Sequence, residues 1–227
     1  VNPSSGGGKA RRYTRPMFLK LLGMFDEVEV RETGKPLDAT LFAKEAADAG
    51  ATAVFCMGGD GTVNETVNGL ATASNRPAFG FIPLGTVNDL ARALEIPLKP
   101  EAAIRMLDTA QLAPIDIGRV NDRYFVNGLA IGTMPEAIAD VSIEEKTRLG
   151  SLAYFMKGIR ALREQKVYRF HIETDAASFC VESSLIVAAL TSSLAGFEKF
   201  MPSAGVADGN MRLLIYTKFE IFGIVDI

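Results

Sequence analysis

The chain has 227 residues, of which 48% are hydrophobic, and its formal net charge is −3. This length suits one large domain or two ordinary ones, and this charge gives no bulk attraction to nucleic acid or to an acidic membrane, so we expect no nucleic-acid partner. No apolar stretch reaches membrane-spanning length and no signal-peptide pattern is found, so we expect a cytoplasmic protein. Two cysteines, Cys56 and Cys180, lie in apolar runs and are expected to be reduced core thiols.

The first half of the chain alternates between the periodicity of helices and that of strands. The predicted elements in chain order are a helix over 10–24, a strand over 25–33, a helix over 37–50, a strand over 51–57, a helix over 62–72, a strand over 78–85, helices over 86–94 and 100–109, and a short strand over 115–118. The second helix is expected to bury Leu37, Leu41 and Ala46, while Thr62 and Thr86 are expected to cap the helices that they begin. Strands alternating with helices indicate a parallel α/β sheet.

The tetrapeptide Gly-Thr-Val-Asn occurs twice, at 61–64 and at 85–88, and both copies follow an apolar strand pattern. Ligands of a parallel sheet bind beyond the carboxyl ends of its strands, where a helix N-terminus favours a phosphate. Asp60, in the run Gly-Gly-Asp-Gly-Thr at 58–62, would repel a phosphate unless a divalent cation lay between them. This turn therefore indicates a nucleotide and magnesium site. A lone glycine-rich turn more often only shapes the backbone, and that alternative stays open at this point.

A third glycine-rich turn, NPSSGGGKA at 2–10, also precedes a helix pattern. It is not a Walker A loop, because Ala10 follows Lys9 where the magnesium-binding hydroxyl would stand, and because Pro3 occupies the first-glycine position. No third glycine completes a dinucleotide-binding GxGxxG pattern after Gly59 and Gly61. Three such turns at one edge of a sheet suit a mononucleotide better than a dinucleotide.

Strand patterns dominate the second half, in RYFVNGLAIG, VYRFHIETD, ASFCVESSLIVAALTS and MRLLIYTK. One helix is predicted over 148–163, with an apolar stripe and basic residues on its other faces, and it either packs on a core or lies on a membrane. The run ADGN at 207–210 predicts a turn.

Four motifs of the first half, NPSSGGGK, GGDGTVNETVNGL, PLGTVNDLARAL and IDIG, resemble the catalytic domain of the diacylglycerol kinase-like lipid kinases, most of all the bacterial soluble branch. The second half follows that family's order in FVNGLAIGTMPEAI, KTRLGSLAYFMKGIRAL and AGFEKFMPSAGVADGNMRLLIY. NAD kinases and phosphofructokinases share GGDGT without the other motifs. The resemblance implies an α/β nucleotide-binding domain with a parallel sheet over 1–118, and a mainly-β sandwich domain for the lipid substrate over 119–227.

The resemblance also implies site residues, carried over by position. The ATP site would be formed by Asn2, Pro3, Ser4, Ser5, Gly6, Thr33, Gly59, Asp60, Gly61, Thr62, Val63, Asn64, Glu65 and Thr86. Magnesium would be bound, mostly through water, by Asp60, Asp89 and Asp116, and a structural metal by Asp208 with nearby backbone carbonyls. Asp60 and Asp116 are the catalytic candidates within the chain. The family's catalytic base is a Glu in an Asp-Gly-Glu turn that this sequence lacks, so we expect it beyond Ile227, and Asp226 comes too early to replace it.

The implied activity is the transfer of the γ-phosphoryl group of ATP to the hydroxyl of diacylglycerol or a similar lipid. The lipid would be met at a membrane surface by a cytoplasmic, peripherally membrane-associated enzyme, with a homodimer as one expected assembly. Two alternatives stay open. One is another small-molecule kinase of the same superfamily, acting on NAD or a long-chain base, and the other is a non-catalytic nucleotide-binding protein.

Overall fold

The computed structural model describes residues 1–132, 166–194, 196 and 204–216, and the backbone of 221–226. The chain divides into two compact units, Val1–Val126 and Asn127–Ile227. In the part of the chain so described, no helix combines the length and the apolar character needed to cross a bilayer. The predicted helix over 148–163 lies outside the described residues.

The first unit contains helices and a parallel pair of strands. Its elements are α1 (Ser5–Gly8), α2 (Ala10–Leu22), α3 (Asp38–Asp48), β1 (Ala53–Gly58), α4 (Asp60–Thr72), β2 (Ala78–Pro83), α5 (Asp89–Ala93), α6 (Pro100–Met106), β3 (Gly118–Val120) and β4 (Arg123–Phe125). Strands β1 and β2 run parallel, from Ala53 opposite Ala78 to Gly58 opposite Pro83. A parallel pair with helices around it confirms the predicted α/β class of this half.

Both faces of β1 and β2 are covered by helices. Met57 and Ile82 belong to one apolar cluster, which they share with buried residues of α2 and α6. Cys56 and Phe81 belong to a second cluster, shared with buried residues of α4 and α5. Strands buried on both faces need apolar side chains at every position, which explains their continuous apolar sequences. Burial also raises the pKa of the Cys56 thiol to about 12, in agreement with a reduced core cysteine.

Two predicted strands of this unit are wrong or misplaced. The segment 25–33 forms no regular strand, although the Val1 ammonium donates to the carbonyl of Arg31 at 2.8 Å and the N–H of Thr33 donates to the carbonyl of Val1 at 2.9 Å. Pairing through a single residue is too short for a ladder. The strand predicted over 115–118 begins only at Gly118, where β3 pairs with β4.

The buried face of α3 also differs from the prediction. Leu37 and Leu41 are 53% and 50% exposed. The side chains that α3 buries against the core are small alanines, namely Ala39, Ala43 and Ala47. Helix α4 approaches so closely that a Cβ on Gly69 would lie 2.2 Å from the carbonyl oxygen of Thr40. Because α3 and α4 pack so closely, only small side chains fit between them, and the leucines remain exposed.

One side chain attaches the β3–β4 hairpin to α4. The Nδ2 of Asn68 donates to the carbonyl of Tyr124 at 2.8 Å, and its Oδ1 accepts from the N–H of Tyr124 at 2.8 Å. The amide thus takes the place of a neighbouring strand's backbone. Asp116 lies two residues before this hairpin.

The described part of the second unit is built from antiparallel strands. Its described strands are β5 (Gly128–Gly132), β6 (Tyr168–Glu173), β7 (Ser178–Ser183), β8 (Leu185–Ala189), β9 (Arg212–Tyr216) and β10 (Ile221–Asp226). One sheet has the order β10-β9-β8-β5, while β6 and β7 form a separate hairpin. The predicted predominance of strands is thereby confirmed. Cys180, predicted to be buried, is exposed on β7 because the strand alternates between a covered and an open face.

Candidate functional site

The ends of β1 and β2 bring two glycine turns into backbone contact. Gly59 follows β1 and Gly85 comes shortly after β2, and the two strands end side by side. A Cβ on Gly59 would lie 2.9 Å from the Cα of Gly85, and a Cβ on Gly85 would lie 2.7 Å from the Cα of Gly59. Glycine is needed at both positions because either side chain would force the turns apart.

The two Gly-Thr-Val-Asn copies have different structures. The first lies within the opening turns of α4, which begins at Asp60, so Thr62 does not cap that helix. The second forms a bend before α5, and Thr86 is exposed there rather than capping. Both predicted caps are therefore wrong.

Asn88 shapes the second copy. It precedes α5 in a left-handed conformation with φ of 56°, which asparagine tolerates better than most residues. Its Oδ1 accepts from the N–H of Gly85 and its Nδ2 donates to the carbonyl of Gly85, each at 2.8 Å. This pair of bonds closes the bend.

Asp60 joins the two turns. Its carboxylate accepts from the backbone N–H of Asn88 at 2.8 Å and from that of Asp89 at 2.7 Å. Burial raises the pKa of Asp60, the two N–H donors oppose that shift, and the charge of Asp89 adds to it. Asp60 therefore has a structural role at the start of α5 in addition to the metal role predicted for it.

The third glycine-rich turn lies at the same edge of the sheet. The N–H of Asn2 donates to the carbonyl of Met57 at 2.9 Å, which places this turn beside the end of β1. The Nδ2 of Asn2 donates to the Oγ1 of Thr62 at 3.1 Å, and its Oδ1 accepts from the N–H and hydroxyl of Ser4. The hydroxyl of Thr62 thus accepts from Asn2, in the turn over residues 2–10, instead of capping α4.

The turn over residues 2–8 and the turn after β1 border a cavity of about 820 Å³, whereas the turn after β2 contributes no lining residue. The predicted nucleotide residues that line it are Asn2, Pro3, Ser4, Ser5, Thr33, Gly59, Gly61, Thr62 and Glu65. The remaining predicted ones, Gly6, Asp60, Val63, Asn64 and Thr86, are not among the lining residues. Val63 is instead buried in the core beneath α4.

Sequence reasoning missed several lining residues, namely Gly8, Arg11, Gly34, Lys35, Pro36 and Ala39. Arg11 belongs to the basic helix α2, and the others belong to α1 or to the loop and first turn of α3. The sequence did contain one sign that Gly34 and Lys35 line the cavity, namely their nearness to Thr33. Neighbours of a lining residue in a loop tend to line the same cavity.

The acidic candidates do not form a direct metal cage. Among the described residues, no group of three or more His, Cys, Asp or Glu side chains is arranged to hold a metal ion. Asp89 is buried and Asp116 is half-buried. Carboxylate oxygens suit magnesium, which usually keeps several waters, so these residue types are compatible with a cation bound mostly through water, and the metal role of these residues stays a prediction.

Asp208 is engaged by an arginine. Its Oδ1 accepts from the N–H of Asn210 at 3.0 Å and from Arg212 Nη1 at 3.2 Å, and its Oδ2 accepts from the N–H of Gly205 at 2.8 Å and from Arg212 Nη2 at 2.7 Å. The guanidinium lowers the pKa of Asp208 to about 2. A carboxylate offers roughly four acceptor sites, so a metal here would have to displace one of these donors or bind the backbone.

Comparison with known proteins places this geometry in a family. The family described as "Diacylglycerol kinase catalytic domain" matches residues 1–120. A diacylglycerol kinase of Bacillus subtilis strain 168 is 40% identical over 223 residues, which are 97% of this chain and 73% of that protein. This chain belongs to the diacylglycerol kinase family. A diacylglycerol kinase of Staphylococcus saprophyticus is 37% identical over 220 residues, covering 97% of this chain and 72% of its own length.

The fold of this diacylglycerol kinase family member agrees with a solved structure. A crystal structure of a protein assigned as a diacylglycerol kinase from Bacillus anthracis aligns with a TM-score of 0.84 and 28% identity, over 96% of this chain and 72% of that one. The predicted resemblance is therefore confirmed, and the protein is a kinase enzyme. The family implies ATP as a substrate and usually a divalent metal.

Proposed function

We propose that this kinase transfers the γ-phosphoryl group of ATP to the hydroxyl of diacylglycerol or a similar lipid, with Mg²⁺ as its metal. The observation that carries the proposal is the cavity bordered by the turn over residues 2–8, by the glycine turn at the end of β1 and by the first turn of α4. The family match supplies the reaction class.

The cavity suits a polyphosphate. The first N–H groups of a helix have no intrahelical acceptor, and the helix dipole makes that end positive. Around Gly61 a Cβ would meet no atom within 4 Å, so a phosphate can approach the backbone of α4 closely. Phosphoryl transfer needs positioning and charge neutralisation more than covalent help, and this arrangement supplies positioning.

The carboxylates would take the metal and proton roles. Asp60, Asp89 and Asp116 would hold Mg²⁺ through water, and the bound cation would neutralise charge on the transferred group. Asp60 has its carboxylate fixed by two N–H donors, so its orientation is set before a nucleotide binds. Asp116 would support a base that accepts the proton of the lipid hydroxyl.

The second unit would supply the lipid side of the reaction. We propose that its strands form a sandwich domain that holds the lipid, and that the enzyme meets this substrate while peripherally bound to a membrane. A homodimer and a structural metal beside Asp208 belong to the same proposal. The predominantly antiparallel strands described in this unit support the sandwich domain.

A transfer assay tests the function directly. Radiolabelled ATP is offered with vesicles containing diacylglycerol, with a long-chain base, and with NAD, at increasing Mg²⁺. We expect label in the diacylglycerol fraction and loss of transfer when Mg²⁺ is chelated. Label mainly in NAD or the long-chain base would establish one of the alternative substrates. ATP binding without any transfer, in a protein that also carries the Asp-Gly-Glu turn, would establish a non-catalytic protein.

A matched pair of variants tests the carboxylate role. Asp116→Asn should reduce transfer strongly, whereas Asp122→Asn, an exposed residue in the turn between β3 and β4, should not. Equal activities of the two variants would remove Asp116 from the mechanism.

A further inference from the structure

Two basic side chains line the cavity without belonging to any of its motifs. Arg11 and Lys35 are lining residues, and among the lining residues that the structure describes Glu65 carries the opposite charge. The chain as a whole has a net charge of −3. The charged lining residues named here sum to +1 on an acidic protein, and local positive charge favours an anionic occupant.

The loop that carries Lys35 is held by a buried carboxylate. The Oδ2 of Asp38 accepts from the N–H of Gly34 at 2.8 Å and from the N–H of Lys35 at 3.0 Å. The bond from Gly34 contributes most to holding the pKa of Asp38 below its usual value. The loop ends at Leu37 with φ of 70°, which is unfavourable for a residue with a Cβ. Backbone strain kept beside a cavity is characteristic of functional loops.

Arg11 reaches the cavity from a separate segment. Its Nη2 lies 3.5 Å from Glu32 Oε2, and its side chain is 72% exposed. An ion pair so exposed to water contributes little stability. Arg11 can therefore exchange Glu32 for a stronger anionic partner, and a guanidinium matches the geometry of a phosphate group.

We propose that Arg11 and Lys35 bind the polyphosphate of the nucleotide and determine the preference of the site for ATP over unphosphorylated nucleosides. The proposal rests on the proposed function, because it takes the nucleotide to lie in this cavity. The glycine turns and the start of α4 offer uncharged N–H donors, and these two side chains add the positive charge that those donors lack. Because the backbone of Lys35 is already fixed, binding orders only its side chain.

Calorimetric titrations with ATP and with adenosine test this assignment. Arg11→Met and Lys35→Met are compared with Arg15→Met and Lys99→Met, which remove exposed cations that do not line the cavity. Each of the first two variants should raise the Kd for ATP about tenfold, leave adenosine binding unchanged and weaken the salt dependence of ATP binding. The two controls should match the unsubstituted protein, and Lys35→Arg should retain most of the affinity.

A third variant removes the charge of Glu32, the partner of Arg11. Glu32→Gln removes the competing carboxylate and should lower the Kd for ATP about twofold to threefold. Glu29→Gln is the control, because Glu29 pairs with Arg31.

Three results would overturn the inference, and they differ in whether the proposed function also fails. Unchanged ATP affinity in both Arg11→Met and Lys35→Met, in a protein that still phosphorylates lipid, would reject the inference and leave the proposed function intact. Equal losses for ATP and adenosine would show that the side chains shape the cavity rather than bind phosphate. Absence of ATP binding by the unsubstituted protein would reject the proposed function and the inference together.

Discussion

Gly59 and Gly61 lie two residues apart in one turn, yet the space around them differs sharply. A Cβ on Gly59 would lie 2.9 Å from the Cα of Gly85, whereas a Cβ on Gly61 would meet no atom within 4 Å. We therefore predict opposite effects of the same substitution on stability. Gly59→Ala should destabilise the protein, and Gly61→Ala should leave its stability equal or slightly higher.

The loss of stability expected for Gly59→Ala follows from the distance between the added Cβ and the Cα of Gly85. Carbon atoms pack best at about 3.5–4.0 Å, so the two turns would have to separate by about 0.6–1 Å. That shift would also strain the hydrogen bonds from Asn88 and Asp89 to Asp60. Overpacking of this kind costs about 1–3 kcal/mol, and each kcal/mol lowers the Tm of a protein of this size by about 2–4 °C.

Gly61→Ala tests the same turn from its open side. Alanine is about 0.5–1 kcal/mol more favourable than glycine within a helix, so the free energy of unfolding should not fall. Its methyl group would project toward the cavity that Gly61 lines, and ATP binding should weaken.

Urea unfolding followed by circular dichroism, without nucleotide, measures both variants, and the KM for ATP is determined in the transfer assay. An unfolding midpoint for Gly59→Ala equal to that of the unsubstituted protein would refute the contact argument. A loss of stability in Gly61→Ala as large as in Gly59→Ala would refute it as well.

Further predictions concern strain, helix packing and pH. Leu37→Gly should raise the free energy of unfolding by about 1 kcal/mol, because φ of 70° is unfavourable for a half-exposed leucine; a lower urea midpoint would contradict this. Gly69→Ala should lower it by about 2 kcal/mol, because a Cβ there would lie 2.2 Å from the carbonyl oxygen of Thr40, and an unchanged Tm would show that α3 and α4 separate freely. The Arg212 guanidinium lowers the pKa of Asp208 from 3.8 to about 2, so its stabilising contribution is present above pH 3.8 and is lost as the pH falls toward 2. When the urea midpoint is measured against pH, it should fall less steeply between pH 3.8 and 2 in Asp208→Asn than in the unsubstituted protein. An equally steep fall in the variant would exclude the ion pair as the cause.

The location of the site could be predicted from the sequence because it depends on topology. Parallel strands end at one edge of their sheet, so turns after 51–57 and 78–85 had to meet there, and Gly59 contacts Gly85 as a result. The turn at 2–10 joins them through the bond from Asn2 to Thr62. These contacts follow from strand order, which the apolar runs reveal.

Details that depend on contacts between distant segments could not be predicted. Thr62 fits a capping pattern, but the amide of Asn2, sixty positions away, takes its hydroxyl. The buried face of α3 was assigned to leucines, although the close approach of Gly69 leaves room only for alanines. Lys35 follows no periodicity or motif, and its nearness to Thr33 was the only sign in the sequence of its place beside the cavity.

The two hydrogen bonds between the Asn68 side chain and the backbone of Tyr124 affect how the first unit unfolds locally. A two-stranded hairpin is marginally stable in water by itself, and its ends would be expected to fray. Both bonds to Tyr124 come from one amide on α4, so they break in a single event. The amide hydrogen of Tyr124 can then exchange with solvent only when that side chain releases it, and the hairpin joins the cooperative opening unit of the helix. Asp116, two residues before the hairpin, is thereby linked to the helix that begins at Asp60.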